Sequence, residues 1–219
     1  MDIAKFIDHT NINKDVAEEE IKKSCQECKK YGFRGLCVNP EWTKTAKEEL
    51  KEKDTKITTL IDPPMGLSSH EERMKLVQKA KEDDSDEIDV VINIVDLKYE
   101  RYDKILKDLK EICQILPTKV IIGSGYLVDE EIKKASQLVK EAGAICVKTA
   151  TEKDPLDNFE LKEKVKHLKI MKESAPGLLI KASVAVRNLS DVVWMIESGA
   201  DIIGTSSGPK IIEESEKFK

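Results

Sequence analysis

Short runs of apolar, largely β-branched residues alternate along the chain with longer amphipathic stretches. Such runs, bounded by polar residues or glycines, are typical of parallel strands joined by crossover helices. Eight of them occur, at Phe6–His9, Gly35–Asn39, Ile57–Ile61, Ile88–Ile94, Lys119–Ile122, Ile145–Lys148, Leu178–Lys181 and Asp201–Gly204. The pattern therefore predicts eight strands.

The stretches between these runs carry apolar residues at three- and four-residue spacing, which predicts helices. The predicted helices lie near residues 16–30, 41–52, 69–82, 100–115, 129–142, 157–174 and 189–198, with a short one after Pro209. Eight strands alternating with eight helices favour an α/β fold of the TIM (β/α)₈ barrel type. An open, doubly wound sheet is the alternative, because local patterns do not reveal whether the first and last strands pair.

Composition narrows the class of protein. The 219 residues fit one domain spanning 1–219, since α/β barrels commonly exceed 200 residues and no linker or low-complexity tract interrupts the chain. Charged residues make up 36% of the chain and their signs are interspersed, giving a net charge of -5, so a nucleic-acid partner is not expected. The sequence shows neither a membrane-spanning apolar run nor a signal peptide, and we expect a cytoplasmic protein without a membrane partner.

The five cysteines are an odd number scattered along a lysine-rich chain, which argues against a secreted disulfide framework. Cys25 and Cys28 form a C-x-x-C motif, but it lies inside a predicted helix without a second pair or nearby histidines. Helix packing is therefore the favoured interpretation of this motif. The three histidines are also too dispersed to predict a metal site.

Two lysines end predicted strands where a buried strand should be apolar. Lys148 follows Ala144-Ile145-Cys146-Val147, and Lys181 follows Leu178-Leu179-Ile180. In a barrel, both would point into the mouth formed by the carboxyl ends of the strands, where barrel enzymes carry their chemistry. A second ammonium and partial desolvation disfavour protonation of the first lysine, and a neutral amine is the form that attacks a carbonyl. For Lys148, the ordinary alternative is a surface lysine whose stem lies along the strand end.

Asp89 is the third polar residue in an apolar context, flanked by Ile88 and by Val90-Val91-Ile92. A buried carboxylate needs a cation or hydrogen bonds, and the two lysines are the available cations. Asp89 is either a structural ion-pair partner or an acid/base group that relays protons. The small-residue segment Gly204-Thr205-Ser206-Ser207-Gly208 precedes the last helix, where barrels often bind phosphate and where an ordinary tight turn is the alternative.

Together these residues resemble the deoxyribose-phosphate aldolase family, a class I aldolase family, over nearly the whole chain and in the same order. The resemblance rests on six segments: Ile7-Asp8-His9-Thr10, Cys37-Val38-Asn39-Pro40, Asp86 to Asn93, Val147-Lys148-Thr149, Lys181-Ala182-Ser183 and Gly204 to Gly208.

The resemblance implies a catalytic group of Lys148 as Schiff-base lysine, Lys181 as the lysine that tunes it, and Asp89 as proton-relay carboxylate. It implies substrate contacts by Asp8, Thr10, Asn39, Thr149, Ser183, Gly204, Thr205, Ser206 and Ser207. The expected reaction is reversible cleavage of 2-deoxyribose 5-phosphate, with a small aldehyde or sugar phosphate as ligand and no metal or other cofactor. Members of the family commonly self-associate, so a homo-oligomer is also expected.

The departures from the family pattern cluster where the substrate is expected. Val184 and Ala185 replace two glycines after Ser183, and β-branched valine resists backbone conformations that glycine permits. Glu152 adds a carboxylate near the expected anion site. Two further loops differ, Gly123-Ser124-Gly125 and Asp62-Pro63-Pro64. These differences keep open a Schiff-base aldolase of the same family that acts on a different aldol, with or without a phosphate group. A catalytically silent barrel with a binding role is a further alternative.

Overall fold

A computed structural model describes residues 2–151 and 161–217. Its eight parallel strands close into a barrel in sequential order, which confirms the predicted TIM-type fold. The strands are β1 (Ile7–Asn11), β2 (Gly35–Val38), β3 (Lys56–Ile61), β4 (Glu87–Val91), β5 (Thr118–Ile121), β6 (Cys146–Lys148), β7 (Leu179–Ser183) and β8 (Ile202–Thr205).

Closure is settled by the pairing of the first strand with the last. β1 pairs with β8 in parallel, with Ile7 opposite Ile203 and His9 opposite Thr205. The doubly wound alternative is therefore excluded, because an open sheet would leave both of these edges unpaired. The strands lie between the barrel interior and the helical layer, and most of their residues are buried, as parallel strands covered on both faces require.

The helices surround the barrel. They are α1 (Glu18–Tyr31), α2 (Thr43–Leu50), α3 (His70–Glu82), α4 (Ile94–Lys98), α5 (Tyr102–Cys113), α6 (Asp129–Glu141), α7 (Leu161–Ser174), α8 (Leu189–Glu197) and α9 (Gly208–Glu216). The predicted start of the helix near residue 157 lies outside the described residues. In the part of the chain that is described, no helix has the length and apolar character needed to cross a bilayer.

One predicted boundary was wrong in a way that matters for the site. The fourth strand was expected to continue to Ile94, but it ends at Val91, and Ile94 begins the short helix α4. Asn93 caps this helix, with its Oδ1 accepting a hydrogen bond from the Asp96 backbone amide at 2.8 Å. Apolar character alone could not distinguish the strand end from the buried first turn of a helix.

The C-x-x-C cysteines pack as predicted from the helical context. Cys25 and Cys28 are buried in α1 as free thiols. Burial raises the pKa of Cys25 to about 11 and that of Cys28 further still. Both thiols are therefore poor nucleophiles near neutral pH.

Candidate active site

The predicted lysines and Asp89 meet inside the barrel. Lys148 and Lys181 lie directly opposite each other on β6 and β7. Both ammonium groups donate to the same carboxylate oxygen of Asp89, Oδ2, at 2.7 Å from Lys148 Nζ and 2.9 Å from Lys181 Nζ. All three residues are almost fully buried. The two lysines and the carboxylate thus form one compact cluster, reached from three strands that are distant in sequence.

A third lysine completes this cluster and was missed by the sequence analysis. Lys119 on β5 is fully buried, and its Nζ lies 3.0 Å from Asp89 Oδ1. This contact is an ion pair without hydrogen-bond geometry, since Oδ1 has no hydrogen-bond donor among the described residues. Lys119 begins its predicted strand, where a lysine is ordinarily solvent-exposed, and only the barrel register shows that it points inward.

The cluster holds Asp89 as a carboxylate and Lys181 as an ammonium. Burial alone would raise the pKa of Asp89, but the charges of Lys119, Lys148 and Lys181 hold it well below its usual value. Burial alone would lower the pKa of Lys181, but Asp8 and Asp89 raise it. Asp8 Oδ2 accepts from Lys181 Nζ at 2.6 Å. Lys181 is therefore a permanent positive charge beside Lys148.

A cavity of about 680 Å³ opens at the carboxyl ends of the strands, and Lys148 lies in its wall. This volume suits a small metabolite. Six of the nine predicted substrate contacts line the cavity: Thr10, Ser183, Gly204, Thr205, Ser206 and Ser207. Asp8, Asn39 and Thr149 are not among its described lining residues. The structure therefore brings Lys148 and most of the predicted binding residues to one opening.

Three predicted contacts have structural tasks. Asp8 binds Lys181 inside the barrel. Asn39 Nδ2 donates to the backbone carbonyl of Asn13 at 3.2 Å, which fixes the loop after β1. Thr149 Oγ1 accepts from the Ser183 amide at 3.0 Å and lies 3.2 Å from the Ser183 carbonyl, to which it donates. These three residues thus hold neighbouring parts of the site in place through their hydrogen bonds.

The last loop is also held by internal bonds. Thr205 Oγ1 donates to the Val186 carbonyl at 2.7 Å and accepts from the Ser207 amide at 3.0 Å. Gly204 leaves no room for a side chain, because an added Cβ would lie 2.3 Å from Ser183 Oγ and 3.2 Å from Lys181 Cε. The sequence motif around Gly204 thus provides space for Lys181 as well as lining for the cavity.

Two buried hydroxyl groups at the cavity have no hydrogen-bond partner among the described residues. They belong to Ser183, which was predicted, and to Thr151, which was not. Unpaired buried hydroxyls are costly, and a substrate oxygen would satisfy them. The predicted carboxylate of Glu152 lies outside the described residues.

The two residues that replace the family's glycines keep a glycine-like backbone. Val184 has φ of 71° and Ala185 has φ of 62°, both in the left-handed region. The side chains at these two positions therefore do not prevent a left-handed backbone, which costs about 1–2 kcal/mol per residue. Both side chains line the cavity, so the loop differs from a diglycine in the methyl groups it presents.

Two cations at the cavity were also missed. Lys14, from the loop after β1, and Arg187, which precedes α8, both line the opening. Neither side chain has an ion-pair partner in the described parts of the chain. Local sequence could not single them out, because lysine and arginine are the commonest exposed residues on such loops.

The site offers a nucleophilic amine and no built metal centre. No group of three or more histidine, cysteine or acidic side chains suited to a metal ion occurs within residues 2–151 and 161–217. Cys37 on β2 lies 3.9 Å from Asp89 Oδ2, and burial and Asp89 raise the pKa of its thiol to about 11. Cys37 is thus a neutral thiol in the interior, and Lys148 is the buried amine at the cavity wall.

Several known proteins that are similar in sequence and fold are named aldolases. A curated deoxyribose-phosphate aldolase from Thermococcus gammatolerans is 41% identical over 97% of this chain and 96% of its own length. The solved structure "QR15, an Aldolase" is 35% identical, with a TM-score of 0.92 over 99% of this chain and 97% of that one. A deoxyribose phosphate aldolase from Aeropyrum pernix, described as a tetramer, shares the fold at 24% identity, with a TM-score of 0.87 over 99% of this chain and 92% of that one.

The sequence pattern of the DeoC/LacD family aldolases matches residues 3–214, nearly the whole of the barrel. That range includes all eight strands, the lysine cluster around Asp89 and the loop that leads into α9. The chain therefore belongs to the DeoC/LacD family of aldolases.

Proposed function

We propose that this protein cleaves 2-deoxyribose 5-phosphate reversibly to glyceraldehyde 3-phosphate and acetaldehyde, through a Schiff base on Lys148. One observation carries the proposal: the Lys148 amine lies at the cavity wall, 2.7 Å from Asp89 Oδ2, on the same oxygen as Lys181. The curated relative that bears the name deoxyribose-phosphate aldolase, matched over almost its full length, supports the choice of substrate. Such a reaction belongs to deoxyribonucleotide catabolism and carbohydrate metabolism.

The first stage forms the covalent intermediate. Neutral Lys148 attacks C1 of the open-chain sugar, the C1 oxygen takes up a proton to give a carbinolamine, and loss of water gives an iminium ion. The iminium carries the same positive charge as the lysine ammonium, so the Asp89 carboxylate stabilises it in place. Because the pKa of Asp89 is strongly depressed, the carboxylate stays ionised and retains this charge.

The second stage breaks the carbon–carbon bond. A base removes the proton of the C3 hydroxyl, the C2–C3 bond breaks, and its electron pair moves into the iminium to leave an enamine on Lys148. Glyceraldehyde 3-phosphate leaves, C2 of the enamine takes up a proton, and water hydrolyses the resulting iminium to acetaldehyde and free Lys148. We assign the proton transfers to water in the cavity beside Lys148, together with Asp89, whose Oδ2 contacts the Lys148 amine.

Charge at the opening supports a phosphorylated substrate. Lys14 and Arg187 line the cavity without an ion-pair partner among the described residues, and a phosphate dianion is attracted to such cations. Ser206 and Ser207 lie in the same wall, just before α9, whose N-terminal end adds a favourable dipole. The substrate would then extend from Lys148 towards the β8–α9 loop.

A second candidate is an unphosphorylated or differently substituted aldol, handled by the same Schiff-base chemistry. The observation that favours it is the pair of side chains at Val184 and Ala185, which occupy space in the cavity wall that a diglycine would leave empty. Comparing turnover of 2-deoxyribose 5-phosphate with turnover of 2-deoxyribose decides between the two. A KM for the phosphate ester at least tenfold lower supports the first candidate.

Reductive trapping tests the covalent step. Acetaldehyde and borohydride are added to the wild-type protein and to Lys148→Ala, and the modified peptide is located by mass spectrometry. The proposal requires a reduced ethyl adduct on Lys148 and none on the variant at equal folded content. A folded wild-type protein that gains no adduct on Lys148 would refute it.

A cytoplasmic location and self-association stay predictions. The second rests on the behaviour of the family, and sedimentation velocity over a range of protein concentrations measures it directly.

A further inference from the structure

Six charged side chains form a closed ring inside the barrel, and we call this set the charge ring. Its members alternate in sign around the ring: Asp8, Arg34, Glu87, Lys119, Asp89 and Lys181. Half of the ring lies around Asp89 and has been described above. The other half lies deeper, towards the amino ends of the strands, and includes two residues with no assigned task.

Arg34 and Glu87 close the deep half of the ring. Arg34 Nη1 donates to Asp8 Oδ1 at 2.6 Å, and its Nη2 donates to both Glu87 carboxylate oxygens at 3.0 and 3.1 Å. Glu87 Oε2 accepts from Lys119 Nζ at 2.7 Å. Glu87 is only 1% exposed and the Arg34 side chain 17%. Neither residue lines the cavity or contacts Lys148 in the described structure, so both act on the site only through Asp8 and Lys119.

The charges of the six ring members sum to zero without Lys148. It contains three cations and three carboxylates. Two further lysines are attached to it: Lys148 through Asp89 in the interior, and Lys56 through Glu87, with a half-exposed side chain whose charge water screens. With Lys148 protonated, the buried assembly carries one surplus positive charge. When Lys148 loses its proton, the ring that remains is neutral, which is the cheaper state for charges removed from water.

Charged and titratable groups face Lys148 from six directions. They are Asp8 on β1, Cys37 on β2, Asp89 on β4, Lys119 on β5 and Lys181 on β7, with Lys14 and Arg187 at the cavity opening. The members of the charge ring keep their charges. Their neighbours hold Asp8 and Glu87 as carboxylates by lowering the pKa of each, and hold Lys119 and Arg34 as cations by raising the pKa of each. Removing one deep charge therefore changes the balance around Lys148 without removing any of its contacts.

We infer that Arg34 and Glu87 are positioning residues which, through Asp8 and Lys119, set the pH at which Lys148 becomes the neutral nucleophile. The inference rests on the proposed Schiff-base function. Loss of the Arg34 charge leaves the ring one unit negative, which favours the protonated form of Lys148. Loss of the Glu87 charge leaves it one unit positive, which favours the neutral form.

The test is the pH dependence of reductive trapping. The initial rate of adduct formation on Lys148 is measured with acetaldehyde and cyanoborohydride from about pH 5 to about pH 10. The proteins are the wild type, Arg34→Met, Arg34→Lys and Glu87→Gln. Lys47→Met is the matched control, because it breaks the nearby Lys47–Asp86 ion pair outside the ring. Circular dichroism checks that each variant is folded.

The expected shifts have opposite signs. The midpoint pH of trapping rises by about half a unit or more in Arg34→Met and falls by a similar amount in Glu87→Gln, as a unit charge at an effective dielectric of about 20 predicts. Arg34→Lys restores the wild-type midpoint, and Lys47→Met leaves it unchanged. A purely structural role would lower the amount of folded protein or the rate without moving the midpoints apart.

Three results of this trapping experiment would contradict the inference or the proposed function. Midpoints that agree within about 0.2 units across the folded variants, or that move in the same direction, would overturn the inference while leaving the Schiff base intact. If Glu87→Gln does not fold, the pair Arg34→Met and Arg34→Lys still decides, since a midpoint that stays at the wild-type value in Arg34→Met contradicts the inference. Absence of an adduct in the wild-type protein would instead refute the proposed function itself.

Discussion

The barrel interior and the cavity opening differ in the kinds of residues they contain and in how the polar groups of those residues are paired. In the interior, every member of the charge ring contacts at least two oppositely charged side chains, and each contact around the ring is 3.1 Å or shorter. At the opening, two hydroxyl groups and two cations have no partner among residues 2–151 and 161–217, and two residues hold left-handed backbone conformations. The charges of the interior are paired with each other, whereas the opening has polar groups without a partner among the described residues that a ligand could bind.

The two regions therefore have different tasks: the interior determines the chemistry, and the opening determines the substrate specificity. The cluster around Asp89 holds the Lys148 amine at the cavity wall, where any Schiff-base substrate would meet it. The opening determines which aldol reaches Lys148, and Val184 and Ala185 make it particular to this chain. Changes in the interior should therefore alter turnover of every substrate, while changes at the opening should alter the preference among substrates.

The largest effect is expected from Asp89→Asn. The change leaves three buried lysines without the carboxylate that they share, so we expect kcat to fall by at least about 10²-fold and the free energy of unfolding to fall by about 3–5 kcal/mol. Steady-state kinetics and urea denaturation measure the two quantities. Retention of more than a tenth of the wild-type kcat would contradict the central place given to this carboxylate.

The next effect concerns acid stability. Burial alone would raise the pKa of Asp8, but Lys181, Lys119 and Arg34 lower it from 3.8 to about 2 in the folded state. A depressed pKa contributes stability that is present above the unfolded value and is lost as pH falls through the folded value. The difference in free energy of unfolding between the wild type and Asp8→Asn should therefore shrink by about 2 kcal/mol between about pH 5 and about pH 2. A constant difference over that range would show that Asp8 is not held as an ion by the ring.

A smaller and opposite effect is expected at the opening. Val184→Gly removes a side chain from a left-handed position, so we expect the free energy of unfolding to rise by about 1 kcal/mol and KM for a phosphorylated substrate to fall severalfold. Ala182→Gly, in the extended backbone of β7, is the control and should destabilise the protein. If Val184→Gly also destabilises the protein, the left-handed strain assigned to Val184 is wrong.

The sequence predicted the interior better than the opening for a physical reason. Strand periodicity and barrel register are regular, so a lysine after Val147 and another after Ile180 had to lie side by side once the barrel closed. Only part of the charge ring could be predicted from the sequence. Glu87 stands two residues before Asp89, a spacing that puts both side chains on the same face of β4, but nothing local showed that Arg34 and Lys119 would meet them.

The opening is built from loops, whose conformation follows from contacts between distant segments. The motif around Thr205 predicted a binding hydroxyl, yet that hydroxyl is bonded to the backbone of Val186 and Ser207. The absence of glycine at Val184 and Ala185 predicted resistance to glycine-like conformations, yet both residues have left-handed φ angles. Residue type alone could not decide either case, because neighbouring strands impose both conformations.

The most direct test of the account is the rate of acetaldehyde release from 2-deoxyribose 5-phosphate by the wild type and by Lys148→Arg, measured side by side. Arginine keeps the positive charge that pairs with Asp89 but has no amine that can form an imine near neutral pH. The account predicts a folded variant whose release rate is at least about 10³-fold lower. A Lys148→Arg protein that releases acetaldehyde at the wild-type rate would contradict the assignment of Lys148 as the nucleophile.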